Sequence, residues 1–403
     1  MASSTVARPK IKISFEQPLP PVDKHTLGQF FTTDPQLKAH VRDFIRNAST
    51  SVLEPSIGQG DLVLAALEKL PTARVIKYEI DTTIHLLCGI DRGEIRFQDF
   101  LKADIGEQFS TIVGNPPYVK VAGGGNLYLS FTEKCFQLLS DGGELIFVVP
   151  SDFFKLTGSA RLLSTMLEAG TFTDIYHPRN EKLFPGASID VVVYRYCKDP
   201  QLPKTVSYNG EQRYLHNSNG LVTFTTTDSS QHVQLSDYFD VYVGMVSGRE
   251  EVFKQPDIGT LKVLNGKDQV DLYIFASQFP TGDAAIDQHL LQHKDELMGR
   301  AIRKFKEDNW WEWGAARNIE RVRAARGRPC IYMKTLTRQT EVAFQHTVME
   351  LGGGLLLLLP KKECDLTAVT AYLNSAAFRE QFIFAGRFKI GQRQVANCTI
   401  PRF

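Results

Sequence analysis

The tetrapeptide Asn-Pro-Pro-Tyr at residues 115–118 is the part of this 403-residue sequence with the most specific chemistry. It follows a short apolar run that ends at Gly114, so we expect it at the end of a β-strand. Its two prolines restrict the loop and remove amide donors, which leaves carbonyl oxygens as acceptors. The Asn115 carboxamide adds a further acceptor, and the Tyr118 ring offers a stacking face. Such a loop suits a planar group that carries an NH2, because it can accept both hydrogens.

Three acidic residues end three predicted strands upstream of this loop. Glu54 precedes a turn, containing Gly58 and Gly60, that opens a helix. Glu79 ends the second strand, where an acid can bind both hydroxyls of a ribose, and Asp99 ends the third. A carboxylate beside the glycine turn would repel a pyrophosphate but attract a cation. Three such acids at one sheet edge favour a nucleoside with positive charge and no phosphate, and S-adenosylmethionine fits that description.

Alternating strands and helices between residues 49 and 198 must position these side chains. The predicted strands are short and mostly apolar: Ser51–Leu53, Arg74–Glu79, Glu94–Gln98, Thr111–Gly114, Glu144–Val149, Thr171–His177 and Ile189–Tyr196. The predicted helices carry apolar residues at helical spacing: Asp61–Leu70, Tyr128–Leu139 and Ala160–Ala169. This alternation predicts an α/β fold with a Rossmann-like, doubly wound, mostly parallel sheet. No helix separates the last two strands, so the final strand is predicted to return antiparallel, as a hairpin.

The strand–helix alternation stops near residue 200, where we place a domain boundary. The second half, residues 201–403, never resumes a regular rhythm and is predicted to be a mixed α+β domain. Its polar stretch from 208 to 234 is interpreted as loop and short strands. Residues 1–20 are rich in proline, serine and lysine and are predicted to form an N-terminal arm, which leaves residues 21–200 as the first domain.

The overall composition excludes several classes of protein. Hydrophobic residues make up 43% of the chain and charged residues 23%, which excludes collagen, coiled coil and wholesale disorder. Lys+Arg 46 against Asp+Glu 45 gives a net charge of +1, so any basic surface must be local. The six cysteines are scattered without a CxxC pair, and no metal site is expected. The N-terminus lacks a signal-peptide core and the longest apolar run, Leu355–Pro360, is too short for a bilayer, so we expect a soluble cytoplasmic protein.

The segment from Arg300 to Arg338 concentrates positive charge. It holds 11 basic and four acidic residues, together with all three tryptophans of the chain. Cations suit phosphates and flat rings suit bases or sugars, so this composition fits a nucleic-acid surface. It equally fits a solvated helix face beside a core of tryptophans, and the sequence alone leaves both interpretations open.

The acidic strand ends, the glycine turn and the Asn-Pro-Pro-Tyr loop, in that order and spacing, resemble the motifs of S-adenosylmethionine-dependent DNA methyltransferases that modify amino groups. An upstream element, Leu27–Thr33, is similar to the motif that these enzymes place before the main site. Further matches are Asn126–Tyr128, Phe147–Ser151 and Leu183–Pro185. With cofactor motifs first and a large region behind them, the chain resembles the γ-class of adenine-N6 enzymes, and its TaqI-like branch in particular. The resemblance is strong over residues 24–198 and weak after them.

The resemblance implies how S-adenosylmethionine would be held. Thr32 and Glu54 would contact its methionine end, and Glu79 would bind the ribose hydroxyls. Ile80 would pack on the cofactor adenine, whose amino group would donate to Asp99. The cofactor-binding residues expected in this way are Thr32, Glu54, Pro55, Gly58, Gly60, Glu79, Ile80, Asp99, Phe100, Asn115 and Pro117.

The reaction implied is methyl transfer to N6 of an adenine in duplex DNA. This nitrogen is a poor nucleophile, because its lone pair is delocalised into the ring. The Asn115 side-chain oxygen and the Pro116 carbonyl would accept its two hydrogens and build electron density on it, without an obligatory general base. The adenine must first be flipped out of the helix. Tyr118 would then stack on one face of the base and Phe184, by the family match, would close the other.

The second half of the chain, residues 201–403, is expected to recognise the DNA target. The resemblance implies double-stranded DNA as the partner, read through Arg, Lys and Gln at base edges in the major groove. Phosphate contacts are expected from the basic segment, including Arg317, Arg321 and Arg323. The family also implies a monomer and a role as the modification half of a type II restriction-modification system. The chain shows no nuclease motif, so any cognate restriction endonuclease would be a separate chain.

Other functions use the same fold and loop, and they remain alternatives. Methylation of cytosine N4 in DNA, of a guanine amino group in RNA or of a glutamine amide in protein would each fit. The RNA and protein enzymes usually carry their extra domain before the cofactor motifs, whereas this chain has about 200 residues behind them. A non-catalytic DNA-specificity module is the alternative from another class, and the intact acids and Asn-Pro-Pro-Tyr loop argue against it.

Overall fold

A computed structural model of the chain describes residues 30–120, 125–184, 187–228 and 232–403. The predicted arm, residues 1–20, lies outside these ranges, as do residues 27–29 of the upstream element and Pro185. Among the described residues, no helix is both long enough and apolar enough to cross a lipid bilayer.

Ten strands form a central sheet. In chain order they are β1 (Ser51–Glu54), β2 (Arg74–Glu79), β3 (Ile95–Phe97), β4 (Phe109–Gly114), β5 (Leu139–Pro150), β6 (Thr171–Tyr176), β7 (Val191–Cys197), β8 (Thr205–Tyr208), β9 (Glu211–Ser218) and β10 (Leu221–Thr225). Their spatial order is β10-β9-β8-β6-β7-β5-β4-β1-β2-β3. Strands β1 to β5 pair in parallel, whereas β7 runs antiparallel between β5 and β6. The predicted mostly parallel sheet with an antiparallel last strand is confirmed.

Consecutive residues of the central strands pack on opposite faces of the sheet. In β1, Val52 joins a cluster with Leu62 on one face, whereas Leu53 joins a cluster with Tyr128 on the other. The helices that cover these faces are α1 (Pro35–Phe44), α2 (Asp61–Lys69), α3 (Leu127–Leu138) and α4 (Ala160–Ala169). Burial on both faces accounts for the continuous apolar runs of the strands. The fold is therefore the predicted Rossmann-like, doubly wound α/β type.

Local sequence determines where the helices beside the site begin. The Asp34 carboxylate caps α1 by accepting from the Leu37 amide at 2.9 Å, and Pro35 takes the first helical position. Gly60 is the N-cap of helix α2, and its φ of +100° is in the left-handed region. A Cβ at Gly60 would also lie 2.5 Å from the Ile90 side chain, so this glycine permits both the turn and the close packing.

The central sheet continues beyond the predicted boundary near residue 200. Strand β8 pairs in parallel with β6, with Asp174 opposite Ser207, and β9 and β10 extend the sheet further. The stretch 208–234, predicted as loop and short strands, thus contributes two strands, β9 and β10, to this sheet, and β8 comes just before them. In β8 polar and apolar residues alternate, because Val206 and Tyr208 are buried whereas Thr205 and Ser207 are partly exposed.

The remainder of the chain is a mixed α+β arrangement. A four-stranded antiparallel sheet has the spatial order Phe239–Val243, Leu355–Pro360, Pro329–Lys334 and Ala343–Thr347, and three two-stranded sheets accompany it. In chain order, the elements are β11 (Val233–Gln234), β12 (Phe239–Val243), α5 (Glu250–Phe253), β13 (Leu261–Gly266), β14 (Gln269–Tyr273), α6 (Ala284–Gln292), α7 (Lys294–Met298), α8 (Ile319–Ala324), β15 (Pro329–Lys334), β16 (Leu336–Thr337), β17 (Ala343–Thr347), β18 (Leu355–Pro360), α9 (Leu366–Leu373), α10 (Ala376–Glu380), β19 (Phe388–Lys389), α11 (Gln392–Asn397) and β20 (Thr399–Ile400).

The C-terminal part packs directly on the central sheet. The Phe224 amide in β10 donates to the Gln381 carbonyl at 3.0 Å, and the buried Lys155 ammonium donates to the Ile383 carbonyl at 2.8 Å. Ile383 also joins the hydrophobic cluster on one face of the sheet. These contacts hold the segment around residues 380–386 beside the site-bearing edge described next.

Candidate active site

The residues predicted to carry chemistry lie along one edge of the central sheet. Glu54 and Glu79 are the last residues of β1 and β2, Asp99 follows β3, and Asn115 follows β4. Because these four strands run in parallel, their carboxyl ends lie at the same edge. Strand order reverses between β1 and β4, which is where doubly wound sheets open a crevice for a ligand.

A cavity lies at this crevice, and eight of the predicted cofactor residues line it. They are Pro55, Gly58, Glu79, Ile80, Asp99, Phe100, Asn115 and Pro117. Sequence reasoning missed the other lining residues, which are Phe30, Phe31, Ser56, Gln98, Leu101, Leu127 and Phe131. Phe30 and Phe31 belong to the upstream element around Thr32, so their position next to a motif residue was the available signal.

Glu79 holds the glycine turn against the end of β2. One carboxylate oxygen accepts from the Gly58 amide at 2.9 Å, and the other accepts from the amides of Ile80 and Asp81, also at 2.9 Å. Burial raises the pKa of Glu79. The Ile80 side chain, by contrast, is 53% exposed and lines the cavity. An exposed aliphatic side chain beside a carboxylate suits a planar ring attached to a sugar.

Glu54 presents a buried carboxyl group that lacks a full set of partners. One oxygen accepts from the Ser56 amide at 3.1 Å, whereas Oε2 has no hydrogen-bond partner among the described residues. Burial, with a smaller contribution from the Glu79 charge, raises the pKa of Glu54 to about 8. A nearby cation would favour the ionised form and complete its interactions. The two buried acids, Glu54 and Glu79, therefore fit a cationic nucleoside such as S-adenosylmethionine.

Asp99 and Thr32 occupy different parts of the site. Asp99 is partly exposed and lines the cavity, with one oxygen accepting from the Leu101 amide at 3.0 Å and the other 3.2 Å from the Lys102 ammonium. Thr32 is buried and does not line the cavity; its hydroxyl accepts from the Asn115 carboxamide at 2.9 Å. The structure thus connects Thr32 to the site through Asn115.

The Asn115 carboxamide is oriented by hydrogen bonds on both sides. Its nitrogen donates to the Phe30 carbonyl at 2.6 Å and to the Thr32 hydroxyl at 2.9 Å. Its oxygen accepts from the Tyr118 hydroxyl at 2.5 Å. Both amide hydrogens are thereby engaged, while the oxygen keeps a second lone pair for another donor. Held this way, Asn115 offers a fixed acceptor beside the cavity.

Three aromatic rings gather next to this acceptor. The Phe30 ring stacks on Tyr118, with centroids 5.6 Å apart and an interplanar angle of 24°. Phe184 contacts both, at centroid distances of 5.6 Å from Phe30 and 6.2 Å from Tyr118. Burial raises the pKa of Tyr118 well above its ordinary value, so its hydroxyl stays a donor. The structure brings these three rings together, with Phe184 3% exposed in a hydrophobic cluster. Contact of Tyr118 and Phe184 with a flipped base stays a prediction.

The tryptophans of the basic segment are part of a hydrophobic core. Trp310 and Trp313 are 2% and 4% exposed, and they pack with Phe253 and Tyr273. The Trp313 indole donates to the Ile274 carbonyl at 2.8 Å. The interpretation of these two rings as stacking surfaces for nucleic acid is therefore wrong, since burial removes their faces from any ligand.

The arginines predicted to bind DNA lie in two environments. Arg317 and Arg321 are exposed, and the Arg321 guanidinium lies 5.9 Å from the centre of the Tyr242 ring. Arg323 is 3.4 Å from the carboxylate of Glu350, an acid that is 2% exposed. Phosphate contact by these three residues stays a prediction, and Arg323 has a carboxylate partner, which the other two lack in the described part of the chain.

The known proteins that this chain resembles include methyltransferases of restriction-modification systems. Residues 79–184 match the family described as Eco57I restriction-modification methylase. Type II methyltransferase M.HindII of Haemophilus influenzae is 25% identical over 383 residues, covering 73% of this chain and 72% of that protein. Type II methyltransferase M.TthHB8I of Thermus thermophilus is 33% identical over 173 residues, covering 36% of this chain and 39% of that protein. The chain is similar to methyltransferases of restriction-modification systems.

One solved structure shares most of the fold. It is the Type IIL restriction-modification enzyme MmeI in complex with DNA, with a TM-score of 0.58 at 10% identity. The match covers 91% of this chain and 64% of that chain, so it extends over both the central sheet and the C-terminal part. S-adenosylmethionine is the expected cofactor, and the buried acids at the sheet edge agree with it.

Proposed function

We propose that this chain transfers the methyl group of S-adenosylmethionine to N6 of an adenine flipped out of duplex DNA. The observation that carries the proposal is the Asn115 carboxamide, held by Phe30, Thr32 and Tyr118 at the rim of the cavity lined by Glu79. A fixed amide oxygen beside a nucleoside-type cavity is what an exocyclic amino group needs in order to react.

The residues of the cavity would divide the work of holding the cofactor. Glu79 and Ile80 would take the ribose and the adenine ring, and Asp99 its amino group. The buried carboxyl of Glu54 would compensate positive charge at the methionine end. When bound, the cofactor supplies an electrophilic methyl group on a sulfonium. The protein supplies orientation and the exclusion of water.

The loop would activate the amino group through oriented acceptors. The free lone pair of the Asn115 oxygen would accept one N6 hydrogen, and the Pro116 carbonyl the other. Both interactions strengthen as the nitrogen becomes tetrahedral and positively charged, so they stabilise the transition state more than the ground state. The N–CH3 bond would form as the S–CH3 bond breaks, which leaves a neutral thioether. The methylated nitrogen, now acidic, would lose its proton to solvent water without an obligatory side-chain base.

Access to N6 requires the adenine to leave the DNA stack, at a cost of a few kcal/mol. The partly exposed rings of Phe30 and Tyr118 would offset this cost by stacking on the flipped base, and the buried Phe184, 3% exposed, would support them through its ring contacts. Residues 201–403 would read the surrounding sequence in the major groove, with the protein acting as a monomer. Any cognate endonuclease of such a type II system would be a separate chain.

Nucleoside mass spectrometry tests the proposal directly. Unmethylated plasmid DNA is incubated with S-adenosylmethionine and either the wild-type protein or the variants Asn115→Ala and Asn115→Asp. We expect N6-methyladenine with the wild type, a loss of about 10²–10³-fold with Asn115→Ala and a large partial loss with Asn115→Asp, with cofactor binding kept in both. N4-methylcytosine alone would correct the target base. An unmodified plasmid with bound cofactor would shift the acceptor to RNA or protein.

A further inference from the structure

A second cavity, of about 400 Å³, lies between the central sheet and the C-terminal part of the chain. Three arginines from three distant segments line it: Arg179 after β6, Arg213 in β9 and Arg379 in α10. One acidic residue, Glu380, lines it as well. The cavity is therefore rich in guanidinium groups, although the chain as a whole is almost neutral.

Arg179 and Arg379 have no carboxylate partner among the described residues, whereas Arg213 has one in Glu211. Arg213 is 4% exposed; it lies 3.2 Å from the Glu211 carboxylate and donates to the Glu380 carbonyl at 3.0 Å. Its Nε is buried and has no hydrogen-bond partner among the described residues. Arg379 donates to a neutral acceptor, the Gln339 carbonyl, at 3.1 Å.

Arg179 lines the cavity together with Tyr208 and has an unusual backbone. Its positive charge partly offsets the burial that raises the pKa of the Tyr208 hydroxyl. The φ of Arg179 is 56°, in the left-handed region that residues other than glycine seldom adopt. A guanidinium group can donate two parallel hydrogen bonds to the oxygens of a phosphate. A cavity lined by three arginines therefore suits a phosphodiester.

The cavity lies on the same edge of the sheet as the candidate active site. Strands β5 and β6 both run antiparallel to β7, so they share a direction, and β8 pairs in parallel with β6. The carboxyl ends of β6 and β8, near Arg179 and Tyr208, therefore face the same way as the end of β4 that precedes Asn115. From β4, the sheet order crosses β5 and β7 before β6 and β8. At strand spacings of about 4.8 Å, this separates the two sites by roughly 15–20 Å.

We propose that Arg179, Arg213 and Arg379 bind the phosphodiester backbone of the DNA that carries the target base. The inference rests on the proposed function. The separation corresponds to roughly four to six nucleotides along one strand, at about 3.4 Å each. Arg179 and Phe184 lie on one loop between β6 and β7, so a phosphate held here would place the strand beside the aromatic rings. The contact is independent of sequence and adds affinity and register, leaving base recognition to other residues.

The first test measures DNA affinity against salt concentration for the wild type, the double variant Arg179→Gln/Arg379→Gln and the control Arg74→Gln. Arg74 is 62% exposed at the start of β2, on the opposite edge of the sheet. We expect the double variant to reduce the slope of log K against log[salt] by about 2 and to weaken binding roughly tenfold, with cofactor binding and kcat at saturating DNA kept. The control should keep the wild-type slope. Equal slopes for the wild type and the double variant, or an equal fall in the control, would overturn the assignment.

The second test locates the contact on the DNA. Duplexes carry a single uncharged methylphosphonate at successive positions around the target adenine. At one or two of these positions the substitution should reduce the affinity of the wild type. At the same positions it should not further reduce the affinity of the double variant, which has already lost the contact. Additive losses at every position would contradict the proposal, and so would displacement of DNA by low concentrations of inorganic phosphate at constant ionic strength. A wild-type protein that neither modifies nor binds DNA would refute the proposed function itself. A wild-type protein that modifies DNA, together with a double variant of unchanged salt slope, would refute only the role of the arginines.

Discussion

The Tyr118 hydroxyl lies 2.5 Å from the side-chain oxygen of Asn115 and 3.0 Å from the main-chain carbonyl of Val148. One hydroxyl proton can make only one strong hydrogen bond at a time, so the hydroxyl has two alternative acceptors. When an amino group approaches Asn115, the hydroxyl can donate to Val148 and leave the carboxamide oxygen to the substrate. Tyr118 would thus both orient the acceptor and stack on the base.

We expect Tyr118→Phe to separate these two roles. The ring remains, so base flipping should persist, while the Asn115 oxygen loses a donor worth about 0.5–1.5 kcal/mol. The methylation rate at saturating substrate should fall by up to about tenfold. Single-turnover kinetics measures the rate, and fluorescence of 2-aminopurine at the target position measures flipping.

Tyr118→Ala is the matched control, because it removes the ring as well. It should reduce the 2-aminopurine signal and raise KM for DNA in addition to lowering kcat. Indistinguishable kinetics for the phenylalanine variant and the wild type would show that the hydroxyl does not orient Asn115.

Phe30 offers a prediction that the sequence motifs alone do not make. Its ring stacks on Tyr118, so Phe30→Ala should weaken the aromatic surface for the base while leaving the main-chain carbonyl that binds Asn115. Loss of one base–aromatic contact is worth about 1–3 kcal/mol, so KM for DNA should rise about fivefold or more. Phe184 is 3% exposed, so Phe184→Ala should instead lower the free energy of unfolding, by about 3–5 kcal/mol. A Phe30→Ala enzyme with wild-type KM and wild-type 2-aminopurine fluorescence would remove Phe30 from the base site.

Glu54 predicts a pH dependence of cofactor binding. Its pKa of about 8 in the folded protein means that the carboxyl is mostly protonated at pH 7. A cationic ligand favours the ionised form, so affinity for S-adenosylmethionine should rise from pH 6.5 to about 8 and then level off, with proton uptake by the buffer. Calorimetry in buffers of different ionisation enthalpy measures that proton. Glu54→Gln should bind more weakly and without this pH dependence.

The Glu54 carboxyl also makes the stability of the folded protein depend on pH: cofactor affinity should rise with pH, whereas the carboxyl's contribution to stability should fall. Its pKa is raised from 4.5 on folding, so the folded protein holds the proton more tightly than the unfolded chain does. This contribution is fully present below pH 4.5 and is lost as pH rises to about 8. Without cofactor, Glu54→Gln should therefore unfold at a higher temperature than the wild type at pH 8.5, and the difference should shrink at pH 6. A difference independent of pH would rule out this role of Glu54.

A buried hydrogen-bond chain closes the loop that carries Phe184. The His177 ring is 2.7 Å from Asp190 and 2.6 Å from the Tyr208 hydroxyl, and Asp190 is 2.5 Å from the Ser151 hydroxyl. His177→Phe would leave these partners unsatisfied, so the free energy of unfolding should fall by about 1–3 kcal/mol. Because the loop would also loosen, KM for DNA should rise with little change in cofactor affinity.

Thermal unfolding and steady-state kinetics check this prediction, with Tyr208→Phe as the milder control that removes only one end of the chain. If stability falls while KM stays constant, the histidine is structural and does not position Phe184.

Much of the cofactor site was predictable because its residues are local to strand ends. Glu54 and Glu79 each end a mostly apolar run, and the Asn-Pro-Pro-Tyr loop follows another that ends at Gly114. Each of these patterns spans only a few consecutive residues, so the sequence is enough to recognise it. Parallel strands then bring such ends to one edge whatever the details of packing. The antiparallel return of β7 was also predictable locally, since no helix lies among the described residues between Tyr176 and Val191.

The second half of the chain shows where local pattern is insufficient. A window rich in cations and tryptophans is compatible with a ligand surface and with a core, and only packing against Phe253 and Tyr273 buried Trp310 and Trp313. The sequence likewise did not predict that β8 to β10 belong to the central sheet, because their membership depends on the pairing of β8 with β6.

The sequence by itself determined the doubly wound fold and the chemistry offered along its edge, since strand periodicity, glycine turns and loop prolines act within a few residues. Only the tertiary structure decided that Phe30 stacks on Tyr118, that Thr32 reaches the site through Asn115, and that three arginines from distant segments share one cavity. Such contacts depend on strand order and on how the C-terminal part packs against the sheet. Neither is encoded in any short stretch of the chain.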